Sequence, residues 1–140
     1  MTAKSRGKLA PADYRVLAEF RLLMRRFMMF SEDAAREAGL APQQHQALLA
    51  VKGFEKDEAP AIGDLAERLA IKHHSAVGLV DRLEKAGYLK RRHDEGDRRR
   101  VTLSLTASGE NILADLSAVH RDELRMLTPS LKALFAKLER

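Results

Sequence analysis

The residues best suited to chemistry lie between positions 72 and 100, and most of them are cations or hydrogen-bond donors. This segment has nine Lys or Arg residues against five acids, a local net charge of +4, whereas residues 101 to 140 balance five against five. The nine cations are Lys72, Arg82, Lys85, Lys90, Arg91, Arg92, Arg98, Arg99 and Arg100. Such a cluster suits binding to a polyanion, through charge on phosphates and hydrogen bonds to base edges.

The chain carries no residue pattern typical of an enzyme. It has no Gly-rich phosphate loop, no His-Glu-x-x-His motif and no cysteine. The adjacent side chains of His73 and His74 would point about 100° apart on a helix, which disfavours a shared metal ion. The sequence therefore predicts a protein that is not an enzyme and needs no metal or cofactor.

A predicted helix-turn-helix positions the start of this basic segment. Two apolar patterns with the i, i+3, i+4, i+7 spacing of a helix follow one another: Ile62, Leu65, Ala66, Leu69, and then Ala76, Leu79, Val80, Leu83. The short turn at Ile71 and Lys72 predicts that the second helix is the one that enters a DNA major groove. Gly87 predicts the end of that helix.

The rest of the basic segment has the pattern of a β-hairpin. Residues 88–92 and 100–105 are predicted strands, and residues 93–99 form the polar tip between them. Extended residues near Ala59 are expected to add an edge strand to this wing.

These segments resemble the MarR-type winged-helix transcriptional regulators. The resemblance rests on residues 65–69 and 79–87, and above all on residues 94–99, which read Asp-Glu-Gly-Asp-Arg-Arg. The family tip usually reads Asp-Pro-x-Asp-Arg-Arg, so Glu95 stands where proline is common, and the tip loses that fixed φ. The resemblance covers nearly the whole chain and implies a regulator that binds double-stranded DNA as a homodimer, most often a repressor.

Length and pattern predict one domain over residues 1–140, mainly α with a small β wing. Start and stop signals place a helix from Pro11 to Gly39 and another from Pro42 to Gly53. Thr106 is expected to cap a helix, and Thr128-Pro129 to begin a separate final one. The first helix is apolar on more than one side, which favours packing on a second subunit. We expect dimerisation helices at about 11–39 and 107–140 around a winged helix-turn-helix at about 41–106.

The first turns of the recognition helix are expected to meet the bases. Base or phosphate contacts are predicted for Lys72, His73, His74, Ser75, Val77, Gly78 and Arg82. Helix capping is the alternative for Ser75. A polar residue is common in the family at Gly78, so glycine here indicates either close backbone approach or a lost base contact. Asp81 and Arg82 are expected to pair, with Arg82 also able to reach the DNA backbone.

The wing is expected to hold DNA by its tip. Arg98 suits the narrow minor groove of A·T-rich sequence, and Asp97 would orient Arg98 or Arg99. By resemblance, Asp97, Arg98 and Arg99 brace the wing and touch DNA. The cations on the strands are either phosphate contacts or solubilising charge: Lys90, Arg91, Arg92 and Arg100.

The resemblance also implies an effector, because family members often bind small aromatic or phenolic acids. The expected lining residues are Phe27, Met28, Phe30 and His45, with Arg26 as the carboxylate partner. The same side chains serve equally as core or interface.

Other features of the sequence limit the expected cellular location and the alternative functions. No run of 18 apolar residues exists, and no signal-type segment follows the basic start, so we expect a cytoplasmic protein without membrane contact. The absence of cysteine excludes the thiol oxidation switch that some relatives use. A winged helix can also serve protein contacts, so a protein-interaction module without specific DNA binding is the alternative function.

Overall fold

The computed structural model describes residues 7–54, 58–93, 96 and 100–139. The elements in this part of the chain are α1 Pro11–Glu37, α2 Pro42–Lys52, α3 Ile62–Leu69, α4 His73–Lys85, β1 Leu89–His93, β2 Val101–Leu105 and α5 Ala107–Leu138. They divide into two compact units, Met1–Ser31 with Val119–Arg140, and Glu32–Ala118. The mainly α fold with a small wing is confirmed. No helix of the described chain has the length and apolar character needed to cross a membrane.

The first three helices begin with the same local device. A side-chain oxygen of the third helical residue accepts a hydrogen bond from a backbone N–H just before the helix: Asp13 from Ala10, Gln44 from Ala41 and Asp64 from Ala61, at 2.8–2.9 Å. Each bond satisfies a donor that the helix itself leaves open. The predicted starts at Pro11 and Pro42 are therefore confirmed with a physical cause.

The helix-turn-helix and its stop are confirmed within a residue. α3 ends at Leu69, the next residue Ala70 adopts a left-handed conformation with φ 53°, and α4 begins after the extended Lys72. After α4, Gly87 takes φ +82°, a region that glycine enters without the clash of a Cβ atom. Tyr88 then donates its N–H to the carbonyl of Leu83 at 3.0 Å, which closes the helix end.

The wing is a two-stranded antiparallel sheet in which Leu89 lies opposite Leu105 and His93 opposite Val101. On the other edge of β2, Leu103 donates its N–H to Pro60 at 2.8 Å, and Ala61 bridges Thr102. The extended residues expected near Ala59 thus join the wing as predicted. The predicted tip contacts Asp97, Arg98 and Arg99 lie outside the described residues.

The core of the second unit contains the apolar face predicted for α4. Ala76, Leu79, Val80 and Leu83 are all buried. Leu79, Val80 and Leu83 pack in one cluster with side chains from the other elements of this unit, including Leu48, Leu65, Leu89, Leu103 and Leu113. Because this face points inward, the polar face of α4 must point outward.

The first unit buries only part of the apolar surface of α1. Val16 and Leu23 are buried with Leu134, and Phe20 packs beside them at 5.9 Å from the Phe135 ring. Leu17 and Met24 of the same helix remain 53% and 49% exposed. The chain by itself therefore leaves an apolar stripe of α1 open to solvent.

The prediction of a separate final helix from Thr128 is wrong, because α5 continues from Ala107 to Leu138 with Pro129 inside it. Thr128 does not act as a cap. Its hydroxyl donates to the carbonyl of Leu124, one turn earlier, at 2.8 Å. A hydroxyl bonded to the i−4 carbonyl is a feature of a continuing helix. Proline removes one backbone hydrogen bond here without ending the helix.

Candidate nucleic-acid interface

The solvent-facing side of α4 carries most of the predicted base contacts. Lys72, His73, His74, Ser75 and Arg82 are exposed, and Val77 and Gly78 are partly buried. His74, Gly78 and Arg82 follow the i, i+4, i+8 spacing that aligns residues along one side of a helix. His73 lies about 100° around the helix from His74, so the two histidines serve different sides. The geometry brings His74, Ser75, Gly78 and Arg82 together.

The start of α4 lacks the device used by the first three helices. Lys72 precedes the helix with extended backbone, and no side chain in the described structure caps it. The alternative reading of Ser75 as a capping residue is therefore wrong. The uncapped N–H groups and the Ser75 hydroxyl lie at the N-terminus of α4, where the helix dipole favours an anion such as phosphate.

Metal binding at the two histidines finds no support in the geometry. Within the described residues, no group of three or more His, Asp, Glu or Cys side chains is placed to hold a metal ion.

Arg91 forms an ion-pair bridge from β1 to α4. Its Nη2 lies 2.6 Å from Oδ1 of Asp81, its Nη1 lies 2.6 Å from Oε1 of Glu84, and its backbone N–H donates to Glu84 at 3.3 Å. The hydrogen bond to Asp81, helped by the charge of Glu84, raises the pKa of the guanidinium above its ordinary value. The wing is thereby tied to the recognition helix.

This bridge corrects two readings of the sequence. Asp81 pairs with Arg91, so the predicted Asp81–Arg82 pair is wrong. Arg91 was expected as a phosphate contact or solubilising charge, but its side chain is only 24% exposed and already holds two carboxylates. The sequence could have indicated this role, because side chains alternate along a strand and Arg91 therefore shares a face of β1 with the buried Leu89.

We expect replacement of Arg91 by alanine to weaken DNA binding through loss of this bridge. A part-exposed ion-pair network of this kind contributes about 1 kcal/mol, so affinity should fall roughly fivefold. Asp81→Asn should weaken binding too, although it removes negative charge near the DNA. Fluorescence anisotropy across a salt series measures both effects.

The matched control is Glu67→Gln, which neutralises an exposed acid on α3 that has no ion-pair partner in the described structure. This control should leave affinity unchanged or raise it slightly, as expected for less repulsion of phosphate. An increase in affinity for Asp81→Asn as well would show that the bridge does not position the wing.

The remaining cations of the wing differ in their environment. Lys90 and Arg92 are exposed on the strand face opposite Arg91. Arg100 instead pairs with Glu58 at 2.7 Å. Lys90 and Arg92 are therefore the strand residues best placed for phosphate contact.

The predicted effector residues are distributed over both units. In the first unit, Phe27 and Phe30 contact the ring of His120 edge-on, with centroids 5.9 and 5.4 Å apart, and Arg26 and Met28 are exposed. In the second unit, His45 is buried in α2.

Sequence reasoning missed His120, whose Nε2 also lies 2.8 Å from Oγ of the buried Ser31. A groove of about 830 Å³ in the first unit is lined by Val16, Leu23, Leu134 and the charged Arg15 and Glu19, among others, and by none of the predicted effector residues.

The fold and the polar, solvent-facing side of α4 define a winged helix-turn-helix protein. The sequence profile of the MarR family matches residues 38–100. The uncharacterized HTH-type transcriptional regulator YcgE of Bacillus subtilis is 38% identical over 94 residues, 66% of this chain and 59% of the relative. The HTH-type transcriptional repressor MdtR, also from Bacillus subtilis, is 30% identical over 69% of this chain and 63% of the relative.

The solved structures agree on the fold. The MepR–DNA complex of Staphylococcus aureus superposes with a TM-score of 0.66 at 17% identity, over 94% of this chain and 97% of that chain. The chain thus spans about three fifths of the length of the two curated relatives and nearly all of a solved structure. Residues 38–100 of this chain, which run from before α2 through β1, thus match the MarR family.

Proposed function

We propose that this protein is a transcriptional regulator that binds a palindromic DNA operator as a homodimer and represses the adjacent genes. The observation that carries the proposal is the solvent-facing row of His74, Gly78 and Arg82 on α4, opposite a fully buried apolar face. A helix anchored in this way can insert into a major groove without losing its core contacts. The relatives support it, since MdtR is named a repressor and MepR was solved bound to DNA.

The dimer is supported by the apolar surface of the first unit. Leu17, Met24 and Met28 on α1 are about half exposed, and Met126 on α5 is 75% exposed. The three α1 residues follow the i, i+7, i+11 spacing of one helix side, and an exposed apolar stripe of this kind marks an interaction site. A two-fold partner would cover it and place two recognition helices on half-sites about one DNA turn apart.

The first test separates base reading from backbone contact in the recognition helix. Replacing His74 or Ser75 by alanine should cost about 1 to 3 kcal/mol on the operator and leave affinity for scrambled duplex nearly unchanged, because a base-edge contact is lost. Lys90→Ala should weaken both duplexes equally and lower the salt slope by about one unit. Binding isotherms for both duplexes across a salt series give all these quantities.

Equal losses on both duplexes for the His74 and Ser75 variants would show that this turn does not read bases. A gel shift with genomic fragments tests the wider proposal. Retention of no fragment at low salt would favour the alternative of a protein-interaction module.

At the wing tip, Arg98 enters the minor groove, Asp97 orients Arg98 or Arg99, and the three residues together brace the wing and touch DNA. The support is the family motif and the charge of the sequence. Arg98→Ala should have its largest effect where A·T pairs flank the half-sites, because a narrow minor groove concentrates negative potential.

We also propose that a small aromatic acid releases the DNA. The support in the first unit is the aromatic surface of Phe27 and Phe30, each against His120, with exposed Arg26 and Met28 on the same helix. His45, in the second unit, is proposed from the family resemblance. Screening aromatic carboxylates for a thermal shift together with release of DNA tests it. An absence of any compound that does both would remove the effector from the proposal. The cytoplasmic location and the lack of enzymatic activity stay predictions.

A further inference from the structure

Gly78 leaves a space on the recognition helix that the side chain of Arg82 occupies. A Cβ atom added at Gly78 would lie 3.5 Å from Nη1 of Arg82, and no other atom outside the local helix backbone lies within 4 Å. Side chains on a helix lean toward its N-terminus, so Arg82 reaches back over the preceding turn. Its guanidinium is thereby carried toward His74, along the row that faces solvent.

The acids beside Arg82 in the sequence form their ion pairs with another arginine. Asp81, the adjacent acid, pairs with Arg91 at 2.6 Å, and so does Glu84. In the described part of the chain, Arg82 itself makes no ion pair. An exposed guanidinium is the group that suits paired acceptors on a base edge.

We propose that Arg82 reads one guanine in each half-site, and that Gly78 makes this possible by leaving the space over which the guanidinium lies. This inference rests on the proposed DNA-binding function and assigns the base class that it recognises. Guanine is the natural target, because its O6 and N7 present two acceptors side by side in the major groove, and a guanidinium fork matches them. Gly78 then sets specificity without touching a base.

Two simpler roles for Arg82 predict different DNA-binding behaviour. A phosphate contact would strengthen binding to every duplex and would survive replacement by lysine, which keeps the charge. A solvated cation with no DNA contact would contribute only a weak, long-range attraction. Only a bidentate base contact needs both the fork and the space above Gly78.

The experiment is selection of bound duplexes from a random pool, followed by affinity measurements on single-base variants of the selected site. The wild type should select a G·C pair at a fixed position of each half-site. Arg82→Ala should lose that preference alone and bind the selected site about 5- to 150-fold more weakly. Arg82→Lys should lose most of the preference, because an ammonium cannot match both acceptors in one plane.

Substitutions at Gly78 test the space directly. In Gly78→Ala the new methyl group meets Arg82 at ordinary van der Waals distance, so the G·C preference should persist. Gly78→Gln needs the room that the guanidinium occupies, so the same preference should be lost although Arg82 is unchanged. Both variants replace glycine within a helix, which should preserve or raise thermal stability, so misfolding does not account for a loss of selection.

The outcomes distinguish the two levels of the proposal. If Arg82→Ala selects the same sequence as the wild type, or weakens all duplexes equally, the guanine contact is wrong and the DNA-binding function stands. If Gly78→Gln keeps the G·C preference, the role given to Gly78 is wrong. A wild type that selects no sequence at all would overturn the proposed function itself.

Discussion

Replacing Gly109 by alanine is expected to lower the free energy of unfolding of the protein by about 2 to 3 kcal/mol, the usual cost of overpacking a tight site. A Cβ atom at this position would overlap the backbone carbonyl oxygen of Tyr88 and lie 3.0 Å from its carbonyl carbon. The contact is with backbone, so no side-chain rotation relieves it.

The surroundings of Gly109 make a compensating shift costly. The Thr106 hydroxyl accepts a hydrogen bond from the Gly109 N–H at 3.0 Å and donates to the carbonyl of Gly87 at 2.6 Å. The Thr106 N–H donates to the same Tyr88 carbonyl at 3.1 Å. Moving the first turn of α5 away from Tyr88 would therefore strain or break these bonds at the end of the recognition helix.

Urea denaturation followed by circular dichroism, at one fixed protein concentration, measures the effect. The matched control is Gly63→Ala in α3, where an added Cβ atom meets nothing within 4 Å. Because alanine favours helix over glycine, this control should leave stability unchanged or raise it by up to about 1 kcal/mol. Equal stability of the Gly109 and Gly63 variants would show that the close approach of α5 to Tyr88 is not rigid.

Replacing Met24 by glutamate is expected to dissociate the proposed dimer and to weaken operator binding by ~100-fold or more. Met24 is half exposed in the single chain and lies on the apolar side of α1 with Leu17 and Met28. A carboxylate buried in a dry interface without a partner is strongly unfavourable, and two-fold symmetry applies the penalty twice. Loss of the second recognition helix then removes the gain from bivalent binding, which is on the order of 100-fold or more.

Sedimentation velocity at micromolar protein and an operator titration should report the two effects together. Ala114→Glu is the matched control, because Ala114 is an exposed residue of α5 in the second unit and the substitution adds the same charge. It should leave the dimer intact and alter DNA binding only through weak electrostatic repulsion. A Met24→Glu variant that sediments as a dimer and binds the operator normally would place the subunit interface elsewhere.

Much of the fold follows from the sequence because its signals are local. The starts at Pro11 and Pro42, the stop at Gly87 and the buried face of α4 each depend on residues within one or two helical turns. The exposure of His74, Ser75 and Arg82 follows from the same periodicity, since residues opposite a buried face must meet solvent. The pairing of the two wing strands was also predictable, because a hairpin pairs segments that are neighbours in sequence.

The predictions that failed depend on partners that local pattern does not show. Thr128 and Pro129 have the form of a helix start, yet the Thr128 hydroxyl bonds one turn back and α5 continues. Asp81 has Arg82 beside it in sequence, yet it pairs with Arg91, which the turn at Gly87 brings back against α4.

By itself, the sequence determined most of the helices, the wing, the polar face of α4 and the family resemblance, because these rest on periodicity and short motifs. Only the tertiary structure decided which charges are already paired, where backbone approaches backbone at Gly109, and that Ser31 meets His120, which is 89 positions away. The physical reason is that hydrogen bonds and steric exclusion act over a few ångströms. Packing alone decides which residues that are distant in sequence come that close together. That same packing places the Arg82 guanidinium over Gly78 and gives it no ion pair among the described residues, whereas the sequence shows only an arginine beside an acid.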